Sequence, residues 1–156
     1  MLIAVVSDTH RDSYAIEKVL KKVGNADVLI HLGDNVEDAY EISKHFKGRT
    51  LFVRGNCDFG AAAKSEAIEV LEGKTIFITH GHKYEVKYGL NTINFKAQEV
   101  GADIALFGHT HRALLEFEGG IWFINPGSAS EARDKSESIA FIKIDERGIS
   151  PSIENL

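Results

Sequence analysis

Apolar residues follow two different spacings in the first third of this chain. Three short runs of branched apolar side chains, typical of strands buried on both faces, occupy residues 2–6, 28–32 and 50–53. Between these runs the apolar residues recur every three to four positions, from Ile16 to Val23 and from Val36 to Phe46. This spacing predicts two amphipathic helices. The order strand, helix, strand, helix, strand indicates two βαβ units and a parallel sheet.

Three pairs of apolar segments in the rest of the chain predict β-hairpins, because each pair is joined by a short turn that contains glycine. The predicted hairpin strands are residues 67–71 and 75–79, 113–117 and 121–124, and 138–144 and 149–153. A third helix over residues 90–100 and a strand over residues 104–107 are predicted between the first two hairpins. Residues 125–128 are predicted to form a turn, and residues 59–64 are interpreted as a loop or the start of a short helix.

These elements predict an α/β fold of four layers. Two mixed β-sheets packed face to face, with helices on the outside, would bury all the apolar strands in an α/β/β/α sandwich. The chain has 156 residues, of which 44% are hydrophobic and 26% charged, so it is long enough to bury a full core. It contains no linker, repeat or low-complexity segment, and we therefore expect one domain over residues 1–156.

Charge and cysteine content narrow the range of partners and compartments. A formal net charge of −5 argues against a broad binding surface for duplex nucleic acid or anionic lipid. Cys57 is the only cysteine, so no disulfide can form within the chain. The N-terminus lacks the features of a signal peptide, and no apolar run approaches ~20 residues. We expect a cytoplasmic protein without membrane contact, and a homodimer would protect its exposed sheet edges.

Side chains that commonly bind metal ions follow directly after the apolar segments. They are Asp8, His10, Asp34, Asn56, His80, His109 and His111. Gly108 is expected to let the chain bend so that the two histidines after it approach one point. A single His-x-His pair, or an Asp or Asn beside glycine, is an ordinary turn feature. Five such sites at successive strand ends instead indicate a metal centre.

The types of ligand decide which metals and which reaction suit this centre. Carboxylates, an amide and imidazoles without thiolates favour manganese, nickel, iron, cobalt or zinc over a structural zinc site. Seven ligands exceed what one four-coordinate ion uses, so two ions are predicted, bridged by one carboxylate and by hydroxide. Two ions ~3.5–4 Å apart can hold that hydroxide for in-line attack on phosphorus. The predicted reaction class is phosphoester hydrolysis.

Five motifs resemble those of the calcineurin-like metallophosphoesterase superfamily, in the same order and with suitable spacing. They are Asp8-x-His10, Gly33-Asp34, Gly55-Asn56-x-Asp58, His80 and Gly108-His109-x-His111. The resemblance extends from residue 3 to residue 128 and is strongest to the small microbial phosphodiesterases of that superfamily. It implies the α/β/β/α fold, a dinuclear centre with manganese as the favoured ion, and hydrolysis of a small phosphodiester.

The resemblance also implies a role for each residue. Asp8, His10 and His111 would bind the first ion, and Asp34 would bridge the two. The second ion would be bound by Asn56, His80 and His109. Asp34, Asn56, His80 and Asp58 form the predicted catalytic set, in which Asp58 orients a neighbouring histidine. Asn56, Cys57 and His82 form the predicted substrate-binding set.

Cys57 departs from the family pattern, in which many members have a histidine that assists departure of the leaving group. A thiol is a poor replacement because it is a weak hydrogen-bond donor. We therefore interpret Cys57 as a small packed side chain and expect slow turnover of esters with poor leaving groups. His31, on a buried strand, is expected to be a core histidine.

Two other functions compete with the phosphodiesterase. The same superfamily includes the retromer scaffold subunit, so the chain could be a catalytically weak scaffold that binds proteins. All seven ligand positions carry competent residues here, whereas a degenerate scaffold tends to lose its histidines. A nuclease is the third alternative, and the acidic charge balance argues against it.

Overall fold

The computed structural model describes residues 1–156 and contains ten strands and three α-helices. Strands β1 to β5 are Leu2–Val6, Val28–His31, Arg49–Phe52, Glu66–Leu71 and Lys74–Thr79. Strands β6 to β10 are Ile104–Leu106, Ala113–Glu118, Ile121–Pro126, Ser138–Asp145 and Gly148–Asn155. Helices α1 to α3 are Ser13–Lys22, Val36–His45 and Asn91–Glu99. None of these helices is long and apolar enough to cross a lipid bilayer.

Every predicted strand and helix is present, with two differences in the connections. The predicted turn over residues 125–128 is wrong in its first half, because Asn125 and Pro126 pair with Leu114 and Ala113 at the end of β8. Residues 59–64 form a loop without helix. The second hairpin is therefore longer than predicted, because β8 continues to Pro126.

The first sheet has the strand order β10-β9-β1-β2-β3. Strands β1, β2 and β3 are parallel, which confirms the two predicted βαβ units. The C-terminal hairpin joins this sheet, because β9 pairs antiparallel with β1 and places Ala140 opposite Val5. Asp12 begins α1 and accepts hydrogen bonds from the backbone amides of Tyr14 and Ala15.

The second sheet has the strand order β4-β5-β6-β8-β7. Its three central strands, β5, β6 and β8, are parallel, whereas the outer strands β4 and β7 are the antiparallel arms of the first two hairpins. Helix α3 connects β5 to β6. Both sheets are therefore mixed.

Three apolar clusters define the four layers. The largest lies between the sheets and includes Val5, Ile30, Ile78 and Leu106. A second cluster packs α1 and α2 on the outer face of the first sheet, and a third packs α3 on the outer face of the second sheet. The α/β/β/α fold predicted from the sequence is confirmed.

Candidate metal centre

The loops after five strands meet at one end of the sandwich. Hydrogen bonds join them within and between the sheets: the Asp8 amide donates to the Gly33 carbonyl at 3.1 Å, and the His109 amide donates to Asp8 Oδ2 at 3.2 Å. The predicted ligands of both sheets therefore lie side by side, although they are far apart in the sequence.

Five of the predicted ligands adopt left-handed backbone conformations. Their φ angles lie between 47° and 67°, and the residues are Asp8, His10, Asp34, His109 and His111. Such conformations cost roughly 1–3 kcal/mol each in non-glycine residues, and they concentrate at functional sites. The fold therefore tolerates backbone strain at these positions, and the strain orients the side chains of the candidate ligands.

Gly108 has a different task from the one predicted. Its φ is not positive, and the bend is made by His109 and His111 themselves. A Cβ atom at Gly108 would instead overlap Ser7 Oγ and come within 2.9 Å of Asp8 Oδ2. The glycine is required because it leaves room for the Asp8 carboxylate, whose Oδ2 accepts hydrogen bonds from Ser7 Oγ and the His109 amide.

Asp8, His10 and His111 form the first group of candidate ligands. Asp8 Oδ1 lies 3.2 Å from His111 Nε2 and 3.8 Å from His10 Nε2, and the two imidazole nitrogens are 3.4 Å apart. Asp8 Oδ1 is fully buried and has no hydrogen-bond partner. Ligand atoms bound at ~2.0–2.2 Å to one ion are spaced at about these distances. The group fits a divalent ion.

His80 forms a second group with Asp34 and Asp8. Its Nε2 lies 3.4 Å from Asp34 Oδ2 and 4.0 Å from Asp8 Oδ1, and it too is buried without a hydrogen-bond partner. Its Nδ1 lies 2.8 Å from the Leu32 carbonyl, which fixes the proton on Nδ1 and leaves Nε2 free to bind a metal. Asp34 also lies within 4.8 Å of the ligand atom of His10, so both carboxylates stand next to ligands of both groups.

The two carboxylates are ionised in spite of their surroundings. Burial opposes the charge of Asp34 most strongly, but the His80 imidazole and the Cys57 amide outweigh it and lower the pKa of the carboxyl. Burial likewise opposes ionisation of Asp8, and His111, His80 and Ser7 lower its pKa nevertheless. Gly55 also matters for Asp34, because a Cβ atom there would overlap Asp34 Oδ1.

His109 and His111 face different neighbours, so the prediction that they approach one point is wrong. The His109 ring lies 5.1 Å from the His80 ring, measured between centroids, whereas His111 joins Asp8 and His10. Burial, His80 and Lys87 lower the pKa of His109 to about 4. Its imidazole is therefore neutral at neutral pH, as a metal ligand must be.

Asn56 and Cys57 lie at the exposed edge of this cluster. The side-chain amide of Asn56 donates to Cys57 Sγ at 3.4 Å. The backbone amide of Cys57 donates to Asp34 Oδ1 at 2.9 Å. Cys57 is exposed, so its interpretation as a packed side chain is wrong. Its thiol lies within 4.8 Å of the ligand atoms of His10 and Asp34. The residue is exposed as a whole, but partial desolvation of its thiol beside the cluster and the Asp34 carboxylate raise the pKa of the thiol to about 11.

Asp58 supports the loops and does not contact a histidine. Its buried carboxylate accepts hydrogen bonds from the backbone amides of Asp34, Val36 and Gly55, at 2.9, 2.8 and 2.7 Å. The prediction that it orients an imidazole is therefore wrong, since both oxygens are occupied by backbone donors. Asp58 instead holds together the loops that carry Asp34 and Asn56.

His82 and His31 lie beside the cluster. The His82 ring is 5.4 Å from the His80 ring, and its buried Nδ1 has no partner. His31 is a core histidine as predicted, with Nδ1 accepting from the Gly33 amide and Nε2 at 3.1 Å from Thr9 Oγ1.

Several polar residues that support the centre were missed by the sequence analysis. Ser128 and Ser130 both donate to the Asp8 carbonyl, at 2.8 and 3.0 Å. Asn125 donates to the Gly108 carbonyl and to Thr110 Oγ1. Asn125 follows a buried apolar run, which is the signal that identified the other site residues, whereas Ser130 lies in a polar loop and carries no such signal.

The whole arrangement suits divalent ions and hydrolytic chemistry. It joins two ionised, buried carboxylates to imidazoles whose Nε2 atoms converge on them, and it leaves buried ligand atoms unsatisfied by the protein itself.

Comparison with known proteins agrees with this geometry. The model of the calcineurin-like phosphoesterase superfamily domain matches residues 1–147. The chain is 32% identical over 148 residues to the probable metallophosphoesterase YsnB of Bacillus subtilis, an alignment covering 93% of this chain and 85% of that protein.

Two further relatives have different kinds of name. The chain is 31% identical to vacuolar protein sorting-associated protein 29 of Schizosaccharomyces pombe, over 87% of this chain and 76% of that protein. It is 29% identical to the phosphodiesterase YfcE of Escherichia coli, over 83% of this chain and 80% of that protein. The solved structure of YfcE aligns with a TM-score of 0.73 and 26% identity, over 96% of this chain and 91% of that one.

Proposed function

This chain belongs to the calcineurin-like phosphoesterase superfamily, and from that premise we propose that it is a metal-dependent phosphodiesterase with a dinuclear centre. The substrate we propose is a small phosphodiester rather than duplex nucleic acid. The residues that carry the proposal are the seven ligands predicted from the sequence, held by residues 1–156 acting as one domain.

One observation supports this proposal above all others. Asp8 Oδ1 and His80 Nε2 are buried, lie 4.0 Å apart and have no hydrogen-bond partner. Unsatisfied buried polar atoms are costly and rare in proteins, because each loses its hydration without compensation. Divalent ions bound at these two atoms would remove this cost, which explains why the fold maintains them.

The ligands divide naturally into two sets. Asp8, His10 and His111 would hold one ion, with Asp34 shared between the two. His80 and His109 would hold the other, together with Asn56 from the exposed edge. When bound, two divalent ions supply Lewis acidity and a strongly acidified water for attack on phosphorus.

The protein's own groups prepare the site for this chemistry. His80 presents Nε2 because its Nδ1 is bound to the Leu32 carbonyl, and His111 is oriented in the same way by the Glu131 carbonyl at 2.8 Å. Asn56, with its amide exposed beside the cluster, is suited to donate a hydrogen bond to a phosphate oxygen. His82, whose Nδ1 has no protein partner, is suited to contact the substrate.

A protein-binding scaffold is the second candidate, favoured by the similarity to the yeast vacuolar sorting protein. Ligand completeness supports the enzyme instead. A scaffold gains nothing from five strained backbone positions that aim ligands at one region, since strain is retained where it serves a site.

The remaining features of the proposal follow the ligand types and the composition. We propose Mn²⁺ as the native ion, with Ni²⁺, Fe²⁺, Co²⁺ and Zn²⁺ as substitutes that the same ligands accept. We also propose a cytoplasmic setting and a homodimer that covers an exposed sheet edge.

Hydrolysis assays on chelator-stripped protein test the proposal. Bis(p-nitrophenyl) phosphate and p-nitrophenyl phosphate are offered with manganese, nickel, magnesium or zinc added back, and metal content is measured in parallel. We expect metal-dependent cleavage that favours the diester and is lost in Asn56→Ala and His109→Ala. Two bound ions without turnover of either ester would favour the scaffold.

A further inference from the structure

A pocket of about 470 Å³ opens beside the His109–His111 turn. Its floor is apolar and includes Val86, Leu90 and the fully buried ring of Phe107. Thr110, between the two histidines, also lines it. The pocket therefore adjoins the metal centre, yet it contains none of the ligands.

Three cationic side chains border this pocket: Lys87, Arg112 and Arg133. Arg112 directly follows His111, and the Arg133 amide donates to the His111 carbonyl at 2.8 Å. All three residues are exposed. The structure thus gathers three positively charged residues in the lining of one pocket, two of them next to His111 in the chain or through a backbone hydrogen bond.

None of these cations forms an ion pair. Half of the eighteen lysines and arginines lie within 4.0 Å of a carboxylate, and Lys87, Arg112 and Arg133 belong to the other half. Two acids close to the arginines in the chain have other partners. Glu131 faces His111, and Asp134 accepts a hydrogen bond from the Ala113 amide.

We infer that this pocket selects phosphodiesters in which one esterifying group combines an apolar part with a further negative charge. The inference rests on the proposed function and defines its substrate class. The apolar part would lie on Val86, Leu90 and Phe107, where burial is favourable. The additional anion, a carboxylate or a phosphate, would be bound by Lys87, Arg112 and Arg133.

The negative net charge of the chain confines attraction of anions to the surroundings of this pocket. A protein of net charge −5 repels anions in general, so cations left unpaired beside one pocket act locally. Arginine is suited to bind an oxyanion through two hydrogen bonds, and an apolar floor excludes water from part of the contact.

Two esters that differ in a single charge test the inference. 4-Nitrophenyl phenyl phosphate and 4-nitrophenyl 4-carboxyphenyl phosphate release the same nitrophenolate, so one assay follows both. We expect the metal-loaded protein to prefer the carboxylated ester in kcat/KM by about tenfold at low salt. The preference should disappear in Arg112→Gln/Arg133→Gln and decrease in Lys87→Gln. It should persist in Lys47→Gln, which removes an exposed, unpaired cation elsewhere.

A binding measurement on metal-free protein keeps this inference separate from the proposed function. The fluorescent probe 8-anilinonaphthalene-1-sulfonate carries one negative charge, and N-phenyl-1-naphthylamine is its neutral counterpart. We expect the sulfonate to bind about tenfold more tightly, and the double arginine variant to bind both equally. Circular dichroism verifies that the variants remain folded.

The outcomes are distinguishable. Turnover of both esters with equal kcat/KM, together with equal binding of the two probes, overturns the inference and leaves the phosphodiesterase intact. Absence of turnover with every metal, together with selective binding of the sulfonate, overturns the proposed reaction and retains the anion-binding pocket.

Discussion

The carboxylate of Asp58 accepts a hydrogen bond of 2.9 Å from the backbone amide of Asp34, the candidate bridging ligand. Two more backbone amides, those of Val36 and Gly55, donate to the same carboxylate. One buried side chain therefore joins the loops after β2 and β3. The position of Asp34 depends on a residue that need not contact a metal.

Removal of this carboxylate should destabilise the protein strongly. Asp58→Ala leaves three buried amides without an acceptor, and each unsatisfied donor costs about 1–3 kcal/mol. We expect the free energy of unfolding in urea to fall by at least about 3 kcal/mol. Asp12→Ala, which removes a side chain bound to two amides at the exposed start of α1, is the control and should cost about 1 kcal/mol. Equal losses in the two variants would contradict the role assigned to Asp58.

Gly108→Ala should disturb the metal centre although it replaces none of the candidate ligands. The added methyl group would overlap Ser7 Oγ and crowd Asp8 Oδ2, so the Asp8 carboxylate must move. We expect loss of hydrolytic activity and at least about tenfold weaker Mn²⁺ binding by calorimetry, as is usual when the groups that orient a ligand are altered. Gly24→Ala provides the comparison, because nothing lies within 4 Å of its Cβ position. If both variants bind manganese like the wild type, the close approach at Gly108 is unimportant.

His31 should make the stability of the protein depend on pH. Burial lowers its pKa from 6.5 to about 4, so between these values the unfolded chain binds a proton that the folded chain does not. The free energy of unfolding should therefore decrease as the pH falls through this window, by about 3 kcal/mol in full and about 2 kcal/mol by pH 5.

Urea unfolding at pH 7.5, 6.5 and 5.0 measures this dependence. The difference between the wild type and His31→Gln isolates the contribution of His31, because the other histidines are common to both proteins. Parallel pH curves would show that His31 binds a proton as readily in the folded state as in the unfolded chain.

Cys57→His should accelerate hydrolysis of alkyl phosphodiesters more than that of aryl phosphodiesters. Alkoxide is a poor leaving group and benefits from a proton donor, whereas the Cys57 thiol, with a pKa raised to about 11, is a weak one. We expect a gain of about tenfold or more on a methyl ester and little change on a bis-aryl ester. Cys57→Ser tests whether any small polar residue suffices. Equal wild-type rates on both kinds of ester would contradict the interpretation.

Local sequence patterns were enough to predict most of the fold and the general location of the metal centre. Apolar spacing identified every strand and helix, because burial on one or two faces leaves a period in the sequence. The polar residue after each buried run marked the strand ends where Asp8, Asp34 and His80 converge. Their assignment as ligands stays a prediction, supported by the unsatisfied atoms in the centre.

Nonlocal relationships could not be predicted in this way. Asp58 was predicted to contact a histidine, but its carboxylate binds backbone amides instead. This outcome depends on how closely the loops after β2 and β3 approach each other, which the sequence does not reveal. Gly108 was interpreted from the sequence as a bend. Its importance is the space it leaves for Ser7 and Asp8, which lie in the loop after β1 of the other sheet. The exposure of Cys57 likewise depends on a loop without periodicity.

The pairing of β9 with β1 determines when the first sheet can be completed during synthesis. β1 leaves the ribosome before its antiparallel neighbour β9, and seven strands are translated between the two. Ser128 and Ser130, which hold the Asp8 carbonyl, are also late. Nascent chains therefore expose one edge of an apolar strand until β9 has been translated, and contacts so distant in sequence slow folding. A chain interrupted after β8 would lack β9 and the two serines that hold the Asp8 carbonyl, and its exposed apolar edge would make it a substrate for chaperones and proteases.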